Sequence, residues 1–134
     1  MNNPVSAEVY LIIARLFLSL LFIISGLNHL LNLERMTAQV RKRRIPAPAM
    51  VVLMTGGAII FGGITVLLGI WVKAGTLILT VFLLASAFIL HNFWEKDNQQ
   101  EKINEMNHFF KDVSLAGACI MIWYFGTGPL SLNS

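Results

Sequence analysis

Residues 49–71 read "AMVVLMTGGAIIFGGITVLLGIW", a run of helical length without one charged side chain. A water-soluble helix of that length keeps a polar face. About 20 consecutive apolar residues are what crossing a bilayer requires. The whole chain agrees with this reading. Of 134 residues, 56% are hydrophobic and 13% charged, against roughly a quarter charged in soluble domains.

Three further runs match the first. Residues 9–28 are apolar except for Arg15, residues 72–92 carry only Lys73 at their start, and residues 109–126 hold Lys111 and Asp112 in their first turn. The expected fold is therefore an all-α integral membrane protein, a single domain built as an antiparallel four-helix transmembrane bundle. Almost nothing separates the second and third runs, so they should form a tight hairpin. The stretch before the first run has Glu8 but no Lys or Arg. It lacks the basic start and the cleavage site of a signal peptide, so the first run is expected to be a retained span.

Charge gives an orientation. Arg35, Arg41, Lys42, Arg43, Arg44, Lys96, Lys102 and Lys111 fall on one side of such a bundle; Lys73 and Arg15 fall towards the other. The positive-inside rule then puts both long loops in the cytoplasm and both termini outside. The location expected is a bacterial inner (plasma) membrane. Trp71, Trp123 and Tyr124 would mark its outer interface and Trp94 its inner one. In the first loop, Leu30, Leu31, Leu33, Met36 and Val40 alternate with polar residues and are followed by Pro46 and Pro48. That pattern suits an amphipathic interfacial segment after the first span, with Arg41, Lys42, Arg43 and Arg44 on lipid phosphates. A solvated turn with topology-setting charges is the alternative. The second loop reads as an exposed, partly helical connector. Nucleic acid is a poor partner for so apolar a chain.

Span two is rich in glycine. Gly56 and Gly63 share one helical face and Gly62 and Gly69 another. Small residues let membrane helices approach closely, so these four, with Gly117 in the last span, are read as packing positions.

A few polar residues remain for chemistry. Arg15 is costly in an apolar slab. It either snorkels to Glu8, headgroups or backbone carbonyls, or serves as an anion or carbonyl clamp. His29, His91, Lys111 and Asp112 come to one membrane face in an antiparallel bundle, with Trp94 beside them. They suggest a polar pocket for a quinone or similar small amphiphile; helix capping at the interface is the bland reading. No histidine has a His-x-x-x-His partner, so a metal or haem is disfavoured. The single cysteine, Cys119, excludes an intrachain disulfide and a CxxC pair. No catalytic set can be assembled from these spacings.

With these residues placed, the chain resembles the DoxX family of small four-span membrane proteins over residues 9–126. The marks are Arg15 with the "SGLNHL" ending of span one, the proline-led glycine-rich span two, "HNFW", and "NHFFKDVSLAGA". Two features depart from the family pattern. Span two lacks the acid many members carry, and Lys111-Asp112 stands where many read Lys-Asn. The resemblance implies a four-helix bundle associated with respiratory or sulfur redox chemistry, since some relatives are described as subunits of a thiosulfate:quinone oxidoreductase. The function expected is thus a quinone-linked redox subunit, not catalytic alone, with membrane lipids, other membrane or peripheral redox subunits and self-association as its partnerships. The alternative is a non-catalytic scaffold or assembly factor. A transporter fits less well, because no span is broken midway and no repeat is visible.

Overall fold

The computed structural model describes residues 4–132. It is all-helical over these residues: α1 (Pro4–Leu31), α2 (Leu33–Lys42), α3 (Pro48–Leu68), α4 (Val72–Ile89), a 3₁₀ turn (Phe93–Glu95) and α5 (Gln99–Phe125). Three helical stretches are long and apolar enough to cross a membrane: Val5–Leu31, Pro48–Leu68 and Val72–Glu95.

The run at 109–126 is the exception, and its departure from expectation has a local cause. Its helix begins ten residues earlier, at Gln99. Asn98 caps it, its Oδ1 accepting from the backbone N–H of Gln100 at 2.9 Å and of Glu101 at 3.1 Å. Glu101 at the third helical position completes a box-like start signal. What reads as a connector is therefore the polar beginning of α5, and the chain turns apolar only from Val113. The third span, Val72–Glu95, covers the expected run to residue 92, but its regular α-helix stops at Ile89. The Ser86 carbonyl accepts from both Leu90 N and His91 N, at 2.8 and 3.3 Å. The second of these bonds spans five residues and widens the last turn of α4, so residues 91 and 92 leave the helix.

α3 is bounded by Pro48 in its first turn and by Gly69 at its end, where φ is +69°. That left-handed conformation suits glycine, and Gly69 N–H donates back to Thr65 O. Packing runs α1 on α3, α3 on α4 and α4 on α5, with α2 laid against α3. Close approach explains three of the glycines. A methyl group at Gly63 would lie 2.9 Å from Ile23 Cγ1 and 3.2 Å from the Ser19 carbonyl; one at Gly56 would lie 2.9 Å from His29 Cβ; one at Gly62 would lie 2.5 Å from Leu79 Cγ. Gly117 differs, because it faces open space with no atom of the chain within 4 Å of that point.

The core joins Phe22, Ile59, Val66, Leu79, Leu83, Ala116 and Cys119. Thr65 and Thr76, both buried, return their hydroxyls to the carbonyls of Gly62 and Val72 at 2.7 Å. They thereby bring no unsatisfied group into an apolar interior. The outer surface inverts the soluble rule. Tyr10, Phe17, Ile24, Leu77, Val81, Phe88 and Met121 are all more than half exposed. An apolar surface that continuous is stable against lipid rather than water.

Candidate functional site

At the end of the molecule where α1 stops and α5 begins, a cavity of about 740 Å³ opens between α1, α2, α4 and α5. Its inner wall is apolar, from Phe22, Phe82, Leu83 and Leu115. His29, His91 and His108 face it together with Asp112 and Glu105.

His91 organises the polar wall. Because α4 has ended, its ring swings towards α5, where Glu105, His108 and Asp112 stand at i, i+3 and i+7 on one helical face. Its Nδ1 lies 2.7 Å from Glu105 Oε2, so this nitrogen carries the proton and donates. Its Nε2 lies 3.7 Å from Asp112 Oδ2. The His108 ring stacks on it at 5.1 Å between centroids. Asp112 is buried, and Ser86 bonds its side chain. Across the cavity, His29 Nδ1 donates to the Ser25 carbonyl at 2.8 Å, which leaves Nε2 as the ring's free position. The ring is fixed edge-on against Phe82. The chamber thus offers imidazole and carboxylate groups beside a greasy wall, a combination that orients an amphiphile by its polar end.

Cations complete the rim. Arg35, Lys42, Arg43, Lys96 and Lys111 line the cavity against two carboxylates. Arg43 is held, its Nη2 donating to Leu90 O at 2.9 Å. It closes the carbonyl end of α4, where a cation is favoured. Of the four residues expected on lipid phosphates, Arg43 is thus tied inward, while Arg41, Lys42 and Arg44 are exposed.

The remaining expected site residues lie elsewhere. Trp94 is outside the cavity, half exposed, in an aromatic cluster with Phe88, Phe93 and Phe109. Arg15 is fourteen residues before His29 on α1, about 20 Å away along a helix. Its guanidinium donates to Pro129 O at 2.7 Å and Leu130 O at 3.2 Å.

Glu105 and Arg35 were missed as site residues from sequence. For Glu105 the signal is present as Glu105-Met106-Asn107-His108, an acid–imidazole pair one turn apart, followed by Asp112 one turn later. It is visible only once the helix is known to start at Gln99. No group of three or more His, Cys, Asp or Glu among the described residues is placed to hold a metal ion.

The DoxX family model matches residues 10–92, well over half of the chain. The chain belongs to the DoxX family. No curated protein and no solved structure matches it. This DoxX-family membrane protein is matched across α1 to α4, and the match stops at Asn92. The chamber therefore joins a matched half, with His29 and His91, to an α5 half beyond it, with Glu105, His108 and Asp112.

Proposed function

We propose that this DoxX-family protein is a membrane-embedded subunit of a quinone-linked redox system, and that its chamber holds a quinone or similar small amphiphile. The observation that carries this reading is the chamber itself, an apolar wall facing His29, His91 and Asp112. Its volume of about 740 Å³ falls within the range of roughly 300–1,000 Å³ usual for small-molecule sites. A ring would lie against Phe82 and Leu115. Lys111 would donate to a carbonyl oxygen, and the free Nε2 of His29 or the Asp112 carboxylate would accept from a hydroxyl. Electrons would pass to or from a partner subunit.

The same reading makes the fold an antiparallel four-helix bundle and a single membrane domain. The run at residues 109–126, which takes in the apolar half of α5, would serve as the fourth span. The three-residue link between α3 and α4 supports the hairpin, and α2 would lie in the interface. The basic chamber end would face the cytoplasm of a bacterial inner membrane, with both termini outside.

The test is a visible spectrum of protein purified in mild detergent, followed by extraction and mass spectrometry of bound organics. A stoichiometric quinone that is lost in His91→Gln, with the helical content unchanged, supports the reading. Protein carrying only phospholipid replaces it with a non-catalytic scaffold.

A further inference from the structure

We infer that the rim of the chamber is a binding site for an anionic phospholipid, whose phosphate sits among Arg35, Lys42, Lys96 and Lys111 and whose acyl chain enters a second, apolar cavity. The inference shares Lys111 and His29 with the quinone reading but is carried by the other rim cations and the second cavity, which that reading does not use.

Three observations converge. First, the cations come from separate elements. Arg35 and Lys42 are seven apart and project from one face of α2, with Gln39 between them; Lys96 lies on the connection before α5; Lys111 lies on α5. Charges that served only to set topology have no reason to surround one cavity. Second, these cations are uncompensated. Both carboxylates of the chamber turn to His91. Arg35, Lys42 and Lys96 form no ion pair among the described residues, and Lys111 feels Asp112 only at longer range. Like charges gathered at one rim repel one another, and an anion held between them removes that cost. A phosphate in reach of an arginine and several lysines gains charge-assisted hydrogen bonds.

The third observation selects a lipid as the source of that phosphate. A second cavity of about 120 Å³ adjoins the chamber and shares His29, Met36, Gln39 and Leu90 with it. It is walled by Val40, Ile45, Val51, Val52, Ala85 and Ile89. A polar rim leading into an apolar slot matches one headgroup and the start of one chain. The amphipathic α2 divides the two: its Arg35 side faces the rim, and its buried Val40 faces the slot.

The experiment is native mass spectrometry of the delipidated full chain in mild detergent. It is titrated with phosphatidylglycerol, with phosphatidylcholine of the same chains, and with glycerol 3-phosphate and inorganic phosphate as competitors. The wild type is expected to bind one phosphatidylglycerol at least tenfold more tightly than phosphatidylcholine. Near a membrane surface each lost cation weakens an anionic lipid about fivefold, so Arg35→Gln with Lys96→Gln should lower phosphatidylglycerol affinity about 25-fold. Phosphatidylcholine should be unaffected. Ala85→Leu, which fills the slot, should weaken phosphatidylglycerol while leaving glycerol 3-phosphate binding as it was. Thermal unfolding by circular dichroism shows whether each variant is folded.

Equal affinity for the two lipids, or a folded double variant that binds phosphatidylglycerol like the wild type, overturns the proposal. If inorganic phosphate competes as well as the lipid at equal concentration, the acyl-chain half is wrong. His91→Gln separates the two readings, because it should release quinone and leave phosphatidylglycerol bound. Selective lipid binding without any quinone would end the redox reading and leave this one standing.

Discussion

Arg15 and Lys96 are both cations close to apolar surroundings, yet the protein treats the two ends of the molecule in opposite ways. Around Arg15 the chain folds back. Residues 127–132 bring the carbonyls of Pro129 and Leu130 to the guanidinium, Leu132 N–H reaches Leu68 O, and Gly128 sits against Leu11. The charge is answered from within. At the other end, Arg35, Lys42 and Lys96 have no ion-pair partner among the described residues and stand around a cavity. A charge held in an apolar span has to be matched by something, and like charges gathered at one rim gain from an anion between them. Where the chain supplies the match, the residue holds the fold together; where it does not, a ligand is the natural supplier.

The strongest way to break this contrast is to remove what both ends share, the contact of α1 with α3. Gly63 packs against Ser19 and Ile23 with no room for a methyl group. Gly63→Leu is expected to prevent formation of a folded, monodisperse protein, since overpacking already costs about 1–3 kcal/mol for far smaller insertions. A folded Gly63→Leu protein by size-exclusion chromatography would show that the helices can part without loss of structure.

Next in size is Arg15→Leu. Two carbonyl hydrogen bonds to a charged donor are lost, each worth about 1.5–3 kcal/mol where well formed. Partial exposure of the site and relief of an arginine in the apolar span both reduce the net. Thermal unfolding should shift down by several degrees while retention of ligand at the chamber end is unchanged. Loss of ligand without loss of stability would mean that Arg15 belongs to a site after all, and the contrast between the ends would fail.

His91→Gln tests the open end. The amide keeps a donor for Glu105 but removes the stacked ring and the nitrogen facing Asp112. The unfolding midpoint should move less than in Arg15→Leu, and retained quinone should fall by about tenfold, the equivalent of about 1.4 kcal/mol. A large drop in stability with ligand still bound would make His91 a strut between α4 and α5 rather than a ligand residue.

How much of this was legible in the sequence depends on the range of the interaction. Three of the four expected apolar spans, the basic end and the tight glycines Gly56, Gly62 and Gly63 are local or compositional, and they read directly. The cluster of His29, His91, Lys111 and Asp112 also followed, because helix ends that share a depth must meet. Glu105 did not. Its place depends on where α5 starts, and the cap at Asn98 is a two-bond signal inside a polar stretch that looks like a loop. For Arg15 the kind of partner was legible, since backbone carbonyls were among those expected, but the particular carbonyls of Pro129 and Leu130 were not. They come from a segment more than a hundred residues away, whereas Glu8 is the nearest acid in sequence. Spacing reports neighbours along a helix; it says little about which distant carbonyl will answer a charge.

Gly117 offers the smallest and sharpest contrast with Gly63. Both are small residues in apolar helices and look alike in sequence, but Gly117 is exposed with open space beside it. Within a single chain Gly117→Leu should change stability by no more than about 0.5 kcal/mol, the usual scale for an uncrowded surface position. A glycine that leaves a groove on a lipid-facing helix also admits a second helix. The informative readout is therefore the mass of the protein–detergent complex by light scattering. If Gly117→Leu leaves both mass and unfolding midpoint unchanged, the glycine is a bystander, and the packing role stays with Gly56, Gly62 and Gly63. If the mass falls by half with the midpoint unchanged, Gly117 packs as the other glycines do, but against a second copy on the exposed side of α5.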